Sequence, residues 1–395
     1  MAGTLSCMHL ITPELRGYAW GTTDDIAGLL GLEPTGAPIA EAWWGAHESG
    51  PSVAHTPDGV ERLDALIAAQ AESCLGGDCA RRWGDRLPFL LKLLAINKPL
   101  SIQVHPTTSQ ARAGFEEERR DAAATSYAFE DPFHKPEMVF ALTSLRVLAG
   151  VRPVHELRAD LESLGTAGAK RLAGVLTDDI SDFISLAFAG AGDAETLAAL
   201  AERGSAAPEG SSLRVSADAL AAFPGDAGAI VALALNVVDL AAGESLFIGA
   251  GVLHSYQAGL GIEVMANSDN VVRAGLTPKH VDVPLLLSLA STRSAPAARP
   301  HTQVTGAAVT LLSEADEFAL TVVTDGHAEV PAGPRVVLVV QGEASLACAA
   351  ESTSLQRGQA VFARHSEGPI RVSARGTTVI AHLPERSSVG DVRIS

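Results

Sequence analysis

Cysteine is scarce in this chain, with four in 395 residues at Cys7, Cys74, Cys79 and Cys348. Scattered in this way they supply neither a disulfide framework nor the two close pairs of a zinc knuckle, so free thiols are expected. Long apolar runs are missing too. The longest, such as Ile230 to Val238, are strand-sized, well short of the ~20 residues that cross a bilayer as a helix. Met1 to Trp20 holds no basic start followed by an apolar stretch, so no secretory signal is read there. These absences lead us to expect a soluble, cytoplasmic protein with no membrane partner. Positive charge is the third shortage: 29 Lys and Arg face 46 Asp and Glu, for a net charge of −17. Such a surface repels nucleic-acid phosphates, although a small phosphorylated ligand remains possible wherever cations are gathered locally. The placement of the few basic residues therefore matters.

What the chain does contain is a 47% hydrophobic composition, ample for the cores of two or three domains. Its most informative segment is Ser101-Ile102-Gln103-Val104-His105-Pro106. Gln103 and His105 stand two apart in an alternating run, so on a strand both face one side. An imidazole beside an amide oxygen is half of a metal site. Glu137, in His134-Lys135-Pro136-Glu137, and His254, after Gly251-Val252-Leu253, offer the other half. Two His, one Glu and one Gln form a mixed N/O set suited to a borderline divalent cation such as zinc. Each residue read alone also fits a bland role: half-buried polar pair, turn end, satisfied core histidine. Lys92, Lys98, Lys135, Arg273 and Lys279 recur near these residues, as a pocket for an anion would need.

The organisation changes near residues 150 and 225. Residues 1–150 carry short strand-like runs and Gly/Pro punctuation, with a helix expected over Thr107 to Asp121. Residues from Val154 to about Ala222 have helical spacing, interrupted by a loop at Ala206 to Ser212. After Gly228 the reading is strand, through Ala229 to Leu240. Ser291 to Pro300 reads as a linker, followed by strands that include Arg335 to Val340, ending at Gln341-Gly342. Leu240 to Ile248 and Leu355 to Phe362 both read as strand, glycine turn, strand. That echo is expected of two related β-barrels of the cupin jelly-roll type.

Several blocks together resemble the type I mannose-6-phosphate isomerases of the cupin superfamily. They are Tyr18 to Gly21, Ala40 to His47 with Ser49 to Ser52, Pro88 to Lys92, Pro99 to Pro106, His134 to Met138 and Glu263 to Lys279. The resemblance covers residues 18–279, about two thirds of the chain. It implies a mainly β fold with an α-helical insertion: two cupin-type jelly-roll barrels plus a helical domain. The expected boundaries are 1–150 and 225–292 for a catalytic barrel in two parts, 151–224 for the insertion, and 293–395 for a metal-free second barrel. It also implies one Zn2+ per chain, held by Gln103, His105, Glu137 and His254, and a phosphorylated hexose as the substrate of a monomer.

The implied reaction interconverts mannose 6-phosphate and fructose 6-phosphate through a cis-enediol, serving mannose catabolism or GDP-mannose supply. By position, Arg273 matches the arginine over the family's active site, and Lys92 and Lys135 match its lysines. Glu263, Asp269 and His134 match groups assigned to proton transfer or ring opening, with Glu263 the first choice of base. Ser101 and Lys279 are candidates for the phosphate or its surroundings, Trp20 for the pocket wall, and Tyr256 for substrate contact. Trp44 stands where the family often has methionine, a departure expected at the pocket wall. Trp43 and Trp44 otherwise read as core, and His47, His55, His155, His280, His301, His327, His365 and His382 as ordinary surface or core residues. Two other readings are an iron-dependent cupin oxygenase and a non-catalytic sugar- or metal-binding cupin. The cations around the ligands favour an anionic sugar over the first, and the intact ligand set argues against the second.

Overall fold

The structure is a computed structural model that describes residues 8–120 and 127–385, so Cys7 and the Asp121 end of the expected helix lie outside the described residues. It is mostly β, built on two ten-stranded sheets with helices between and beside them. One sheet runs in the order His301–Thr305, Ala308–Leu312, Ala319–Val330, Ile370–His382, Arg335–Ala347, Ala360–Ala363, Met8–Thr12, Val53–Thr56 and Gly59–Arg62, with Ser352–Gln356 on Arg335–Ala347. Three strands from the first 150 residues therefore complete the sheet built by the last hundred. Met8–Thr12 carries that link, pairing antiparallel with Ala360–Ala363 on one side and with Val53–Thr56 on the other.

The second sheet is organised around His254–Ala266. Its early residues pair with Leu145–Val151, and its later ones lie between Phe89–Ile96 and Glu137–Ala141. At the change of partners stands Gly259, with φ 121°, where a Cβ would come within 2.4 Å of the Ser144 carbonyl oxygen. Only glycine fits that backbone and that approach. Glu41–Gly45 pairs with the far side of Phe89–Ile96, whose eight residues are all buried, as a continuous apolar run predicts for an inner strand.

The helical segment falls where the spacing placed it: Val154–Leu164, Ala167–Gly174, Ser181–Leu186, Ala194–Ser205 and Ser212–Ala222. Thr166, Asp193 and Ser211 cap three of these helices, each accepting a backbone N–H three residues on. Leu157, Leu161, Leu172, Leu200 and Val215 meet in their shared core. Thr108–Glu118 begins with a capping box, Thr107 Oγ1 accepting from Gln110 N and Gln110 Oε1 accepting from Thr107 N. Among the described residues no single helix is long and apolar enough to cross a membrane. Cys74, Cys79 and Cys348 are free.

Two expectations fail. Residues after Gly228 do not begin as strand: Gly228–Leu233 is a helix, buried on every side, and the strand starts at Leu235. Its apolar residues run without a period because every face is covered, and Asp226 Oδ1 accepts from Gly228 N to start the turn. The strand from Arg335 does not stop at Gln341-Gly342 but continues to Ala347. A register shift between Val339 and Gln341 carries it past the facing Gly376, with both glycines at positive φ. The strand–glycine–strand echo is present in both places, with Gly243 and Gly358 in the left-handed region at the turns.

Candidate active site

The ligand candidates lie at strand ends that the sheet brings together. His254 and Gln103 are direct antiparallel partners, so their side chains share a face, and Arg273 pairs with Gln103 from the other side. His105 follows Gln103–Val104 directly, and Glu137 opens the strand Glu137–Ala141. His105 Nε2 lies 3.2 Å from Glu137 Oε1, and His254 Nε2 lies 3.4 Å from Glu137 Oε2. The donor atoms of these three buried residues all fall within 4.8 Å of one another.

The protonation pattern suits a cation. His105 Nδ1 donates to the Asn270 carbonyl at 2.7 Å, and His254 Nδ1 donates to the Val252 carbonyl at 2.9 Å. Both Nε2 atoms are then bare lone pairs turned on a carboxylate, and burial holds the His105 pKa down at about 4, so that ring stays neutral. Lone pairs and carboxylate oxygens at such distances repel unless a cation lies between them. Gln103 donates its amide N–H to Ser101 Oγ at 3.1 Å, which leaves its carbonyl oxygen as a ligand atom. The buried charges agree: Glu41, Glu137 and Glu263 outnumber Lys92 and Lys135, a surplus of negative charge that a divalent cation relieves. The donor set and its tautomers therefore fit zinc, with His, Glu and Gln side chains all contributing.

A cavity of about 710 Å³ opens beside these residues. Gln103, Glu137, His254, Lys92, Lys135, Glu263, Asp269, Arg273, Ser101, Trp20, Tyr256 and Lys279 all line it. Lys92 and Glu263 are cross-strand partners whose Nζ and Oε2 meet at 3.1 Å, both buried. Burial opposes the Lys92 charge, but the carboxylates of Glu263, Glu41 and Glu137 outweigh it and raise its pKa above that of an ordinary lysine. Burial also raises Glu263 above the usual carboxylate range, with Glu137 and Glu41 adding to this against Lys92. Lys135 Nζ meets Glu137 Oε1 at 3.0 Å. Arg273 is half-buried and has no ion-pair partner among the described residues. The Tyr256 hydroxyl is buried beside Glu263, and burial, then the Glu263 and Glu137 carboxylates, raise its pKa well above that of an ordinary phenol. Lys279 is exposed on the rim, where its backbone N–H donates to Thr277 Oγ1; the following helix starts only at Val283.

His134 is the exception. It does not line this cavity but turns to the other side, where Nε2 bonds Glu317 Oε1 at 2.9 Å. Its neighbour Lys135, in the same irregular segment before the strand Glu137–Ala141, lines the cavity instead. Trp44 is also corrected: it is fully buried in a core cluster and does not line this cavity. Trp43, expected in the core, is buried in a small cluster with Leu90 and Met265 and also lines the cavity, with the Lys92 ammonium 4.9 Å from its ring and its indole N–H donated to Glu41. Among the acidic, basic and imidazole side chains at the cavity, two escaped the sequence reading, Glu41 and His47. Both share the parity of Trp43, the cross-strand partner of Lys92, so counting by twos from that pair would have found them.

Known proteins match both sequence and geometry. Residues 8–154 match the family described as phosphomannose isomerase type I, catalytic domain. The chain is 33% identical over 387 residues to the mannose-6-phosphate isomerase of Escherichia coli (strain K12), covering 93% of this chain and 98% of that one. The chain belongs to the type I phosphomannose isomerase family. Mannose-6-phosphate isomerase 1 of Arabidopsis thaliana is 32% identical over 364 residues, 84% of this chain and 81% of its own. A crystal structure of a mutant phosphomannose isomerase from Salmonella typhimurium superposes with a TM-score of 0.89 at 30% identity, covering 96% of this chain and all of that one. A crystal structure of a mannose 6-phosphate isomerase bound with zinc and yttrium matches at a TM-score of 0.87 and 29% identity over the same shares. Membership of this family makes the chain an isomerase.

Proposed function

We propose that this chain interconverts mannose 6-phosphate and fructose 6-phosphate through a cis-enediol, at the cavity between Glu137, Lys92 and Arg273. The observation that carries this reading is the pair of buried histidines, His105 and His254, each with Nδ1 on a backbone carbonyl and Nε2 turned on Glu137, beside a cavity that also holds Lys92 and Glu263. Gln103, His105, Glu137 and His254 would hold a zinc ion, which when bound stabilises negative charge on the sugar oxygens. Glu263 is the base that takes the C2 proton and returns it to C1. Burial raises its pKa and so makes its carboxylate a stronger base, while Lys92, kept charged by its carboxylate neighbours, steadies the ionised form. Arg273, uncommitted to any described carboxylate, donates to the oxygens that gain charge as the enediol forms. Tyr256 offers a phenol donor, and Ser101 and Lys279 supply the phosphate end with a hydroxyl and a cation. Trp20 closes the wall, stacked on Tyr18 with centroids 5.8 Å apart.

We read the sheets as two cupin-type jelly-roll barrels divided at the boundaries expected from the sequence, with Met8–Thr12, Val53–Thr56 and Gly59–Arg62 lent to the second. Supporting this is the strand–glycine–strand echo, and among the described residues the single His–Glu metal-type group falls in the first. The test is mannose 6-phosphate turnover by purified protein before chelation, after it, and after zinc is returned. Activity that chelation abolishes and zinc restores is the expected result. A folded, zinc-loaded protein without turnover overturns the assignment.

A further inference from the structure

Residues 127–136 form neither helix nor strand, yet they deliver Lys135 to the cavity and lead directly into Glu137. Backbone with no ladder of its own must find hydrogen bonds elsewhere, and whatever supplies them decides where it lies. Here side chains supply them. Glu118 accepts the N–H groups of Ala128 and Phe129, each at 3.0 Å, and Arg119 donates to the carbonyls of Phe129 and Glu130 at 3.3 Å. The last grip before Glu137 is Asn270, whose exposure is only 1%. Its Oδ1 accepts from Glu130 N at 2.8 Å and from Asp131 N at 3.4 Å, and its Nδ2 donates to the carbonyls of Asp131 and Phe133, both at 2.7 Å. The whole donor and acceptor capacity of one amide is spent on the stretch from Glu130 to Phe133.

Asn270 acts a second time through its backbone. Its carbonyl takes the Nδ1 proton of His105 at 2.7 Å, the bond that leaves Nε2 bare towards Glu137. Asp131 ties the two loops together from the other side, its Oδ1 accepting from Ser268 Oγ at 2.9 Å and its Oδ2 from Asp269 N at 2.8 Å. Asn270 N in turn donates to Ser268 Oγ at 3.2 Å. We propose that Asn270 is a positioning residue for the zinc site: its amide sets where the segment bearing Glu137 lies, and its carbonyl sets which nitrogen His105 presents. The inference rests on the zinc reading of His105, Glu137 and His254. Those ligands arrive on separate stretches of chain, and Asn270 holds two of the stretches at once without lining the cavity itself. Its effect therefore falls on the hold over the ion, not on contact with the sugar. The coupling is reciprocal, so an ion that draws His105 and Glu137 together also steadies the stretch from Glu130 to Phe133.

Zinc affinity, measured by competition with a chromophoric chelator, is expected to weaken about 10–100-fold in Asn270→Ala. Asn270→Asp keeps the shape and Oδ1 but sets an oxygen against two carbonyls in place of Nδ2, and should weaken binding as much. Val372→Ala, in the strand Ile370–His382 and a separate core cluster, lowers Tm without touching this segment and should keep wild-type affinity, which separates lost grip from general instability. Hydrogen exchange on the wild-type protein needs no variant. Chelation should remove protection from the Glu130 and Asp131 amides, whose acceptor is Asn270 Oδ1, and leave the strand Ile370–His382 unchanged. Wild-type zinc affinity in either folded Asn270 variant, or an equal loss in Val372→Ala, overturns the inference and leaves the zinc reading standing. Where neither Asn270 variant folds, protection of those two amides that is indifferent to zinc overturns it. A wild-type protein that binds no zinc overturns the zinc reading, and this inference with it.

Discussion

Lys92→Met tests the charge balance on which the site depends. Methionine is close to lysine in volume, so it fills the same space beside Trp43 and removes only the ammonium. Glu263, 3.1 Å away and almost wholly buried, then loses its direct partner and still faces Glu137 and Glu41. Breaking a buried ion pair from one side costs about 3–5 kcal/mol. The unfolding entropy of ~2.1 cal/mol/K per residue amounts to ~0.8 kcal/mol/K over the 395 residues, so Tm should fall by about 4–6 °C. The loss should depend on pH with a defined sign. Glu263 already has a raised pKa in the fold, so protonation favours the native state and the strain vanishes in acid. The deficit therefore grows as pH rises from the unfolded carboxylate value through the raised native one, and is larger at pH 8 than at pH 5.5. Lys92→Met combined with Glu263→Gln removes both charges and should recover most of the lost stability. The assay is thermal unfolding of zinc-loaded protein at pH 5.5 and pH 8. A Lys92→Met protein within about 1 °C of wild type at pH 8, or a double variant no more stable than the single, would refute the reasoning.

Two further predictions concern histidines outside the cavity. His382 is buried at the end of the strand Ile370–His382, its Nδ1 donating to the Leu383 carbonyl at 2.7 Å and its Nε2 beside Thr321 Oγ1 at 2.8 Å, and burial lowers its pKa to about 4. The unfolded chain binds the proton first, so the neutral ring's contribution is complete above pH 6.5 and lost as pH falls towards 4. The change is worth about 3 kcal/mol. His382→Gln should flatten the acid limb of a Tm–pH profile, and an unchanged limb would count against a buried neutral ring. His134→Leu should leave kcat within a few-fold of wild type while costing about 1.5–3 kcal/mol through the lost bond to Glu317. A loss of kcat of a hundredfold at unchanged Tm would return His134 to the catalytic group.

Much of the fold could be read locally because it is determined locally. The capped helices from Val154 to Ala222 carry their own start signals at Thr166, Asp193 and Ser211. Gly243 and Gly358 mark their turns because only a residue that tolerates positive φ fits there. Gly228–Leu233 was misread because an apolar run covered on all faces has no period to detect. The pairing of Met8–Thr12 with Ala360–Ala363, more than three hundred residues away, leaves no trace in either segment.

The same division explains the site. The proposed ligands stand in short segments whose residue types are chemically distinctive, so Gln103, His105, Glu137 and His254 could be picked out from the sequence. His47 and Glu41 carry no such signature, and their meaning comes from the register that sets Trp43 against Lys92. Register also explains why so acidic a chain can serve an anionic substrate. Asp226 Oδ2 accepts from Thr277 N at 2.9 Å, and Gly228 packs so closely on Gly275 that a Cβ there would come within 2.6 Å of its Cα. That contact fixes the turn between Arg273 and Lys279, so two of the chain's few cations are held at the cavity by the helix that the sequence reading took for a strand. Replacing Gly228 with alanine should therefore raise KM for the phosphosugar more than it lowers kcat, since it displaces the rim and leaves Lys92 and Glu263 in place. Steady-state kinetics on the variant, with a fall in kcat at constant KM as the contrary result, would show whether this helix supports substrate binding or the chemistry itself.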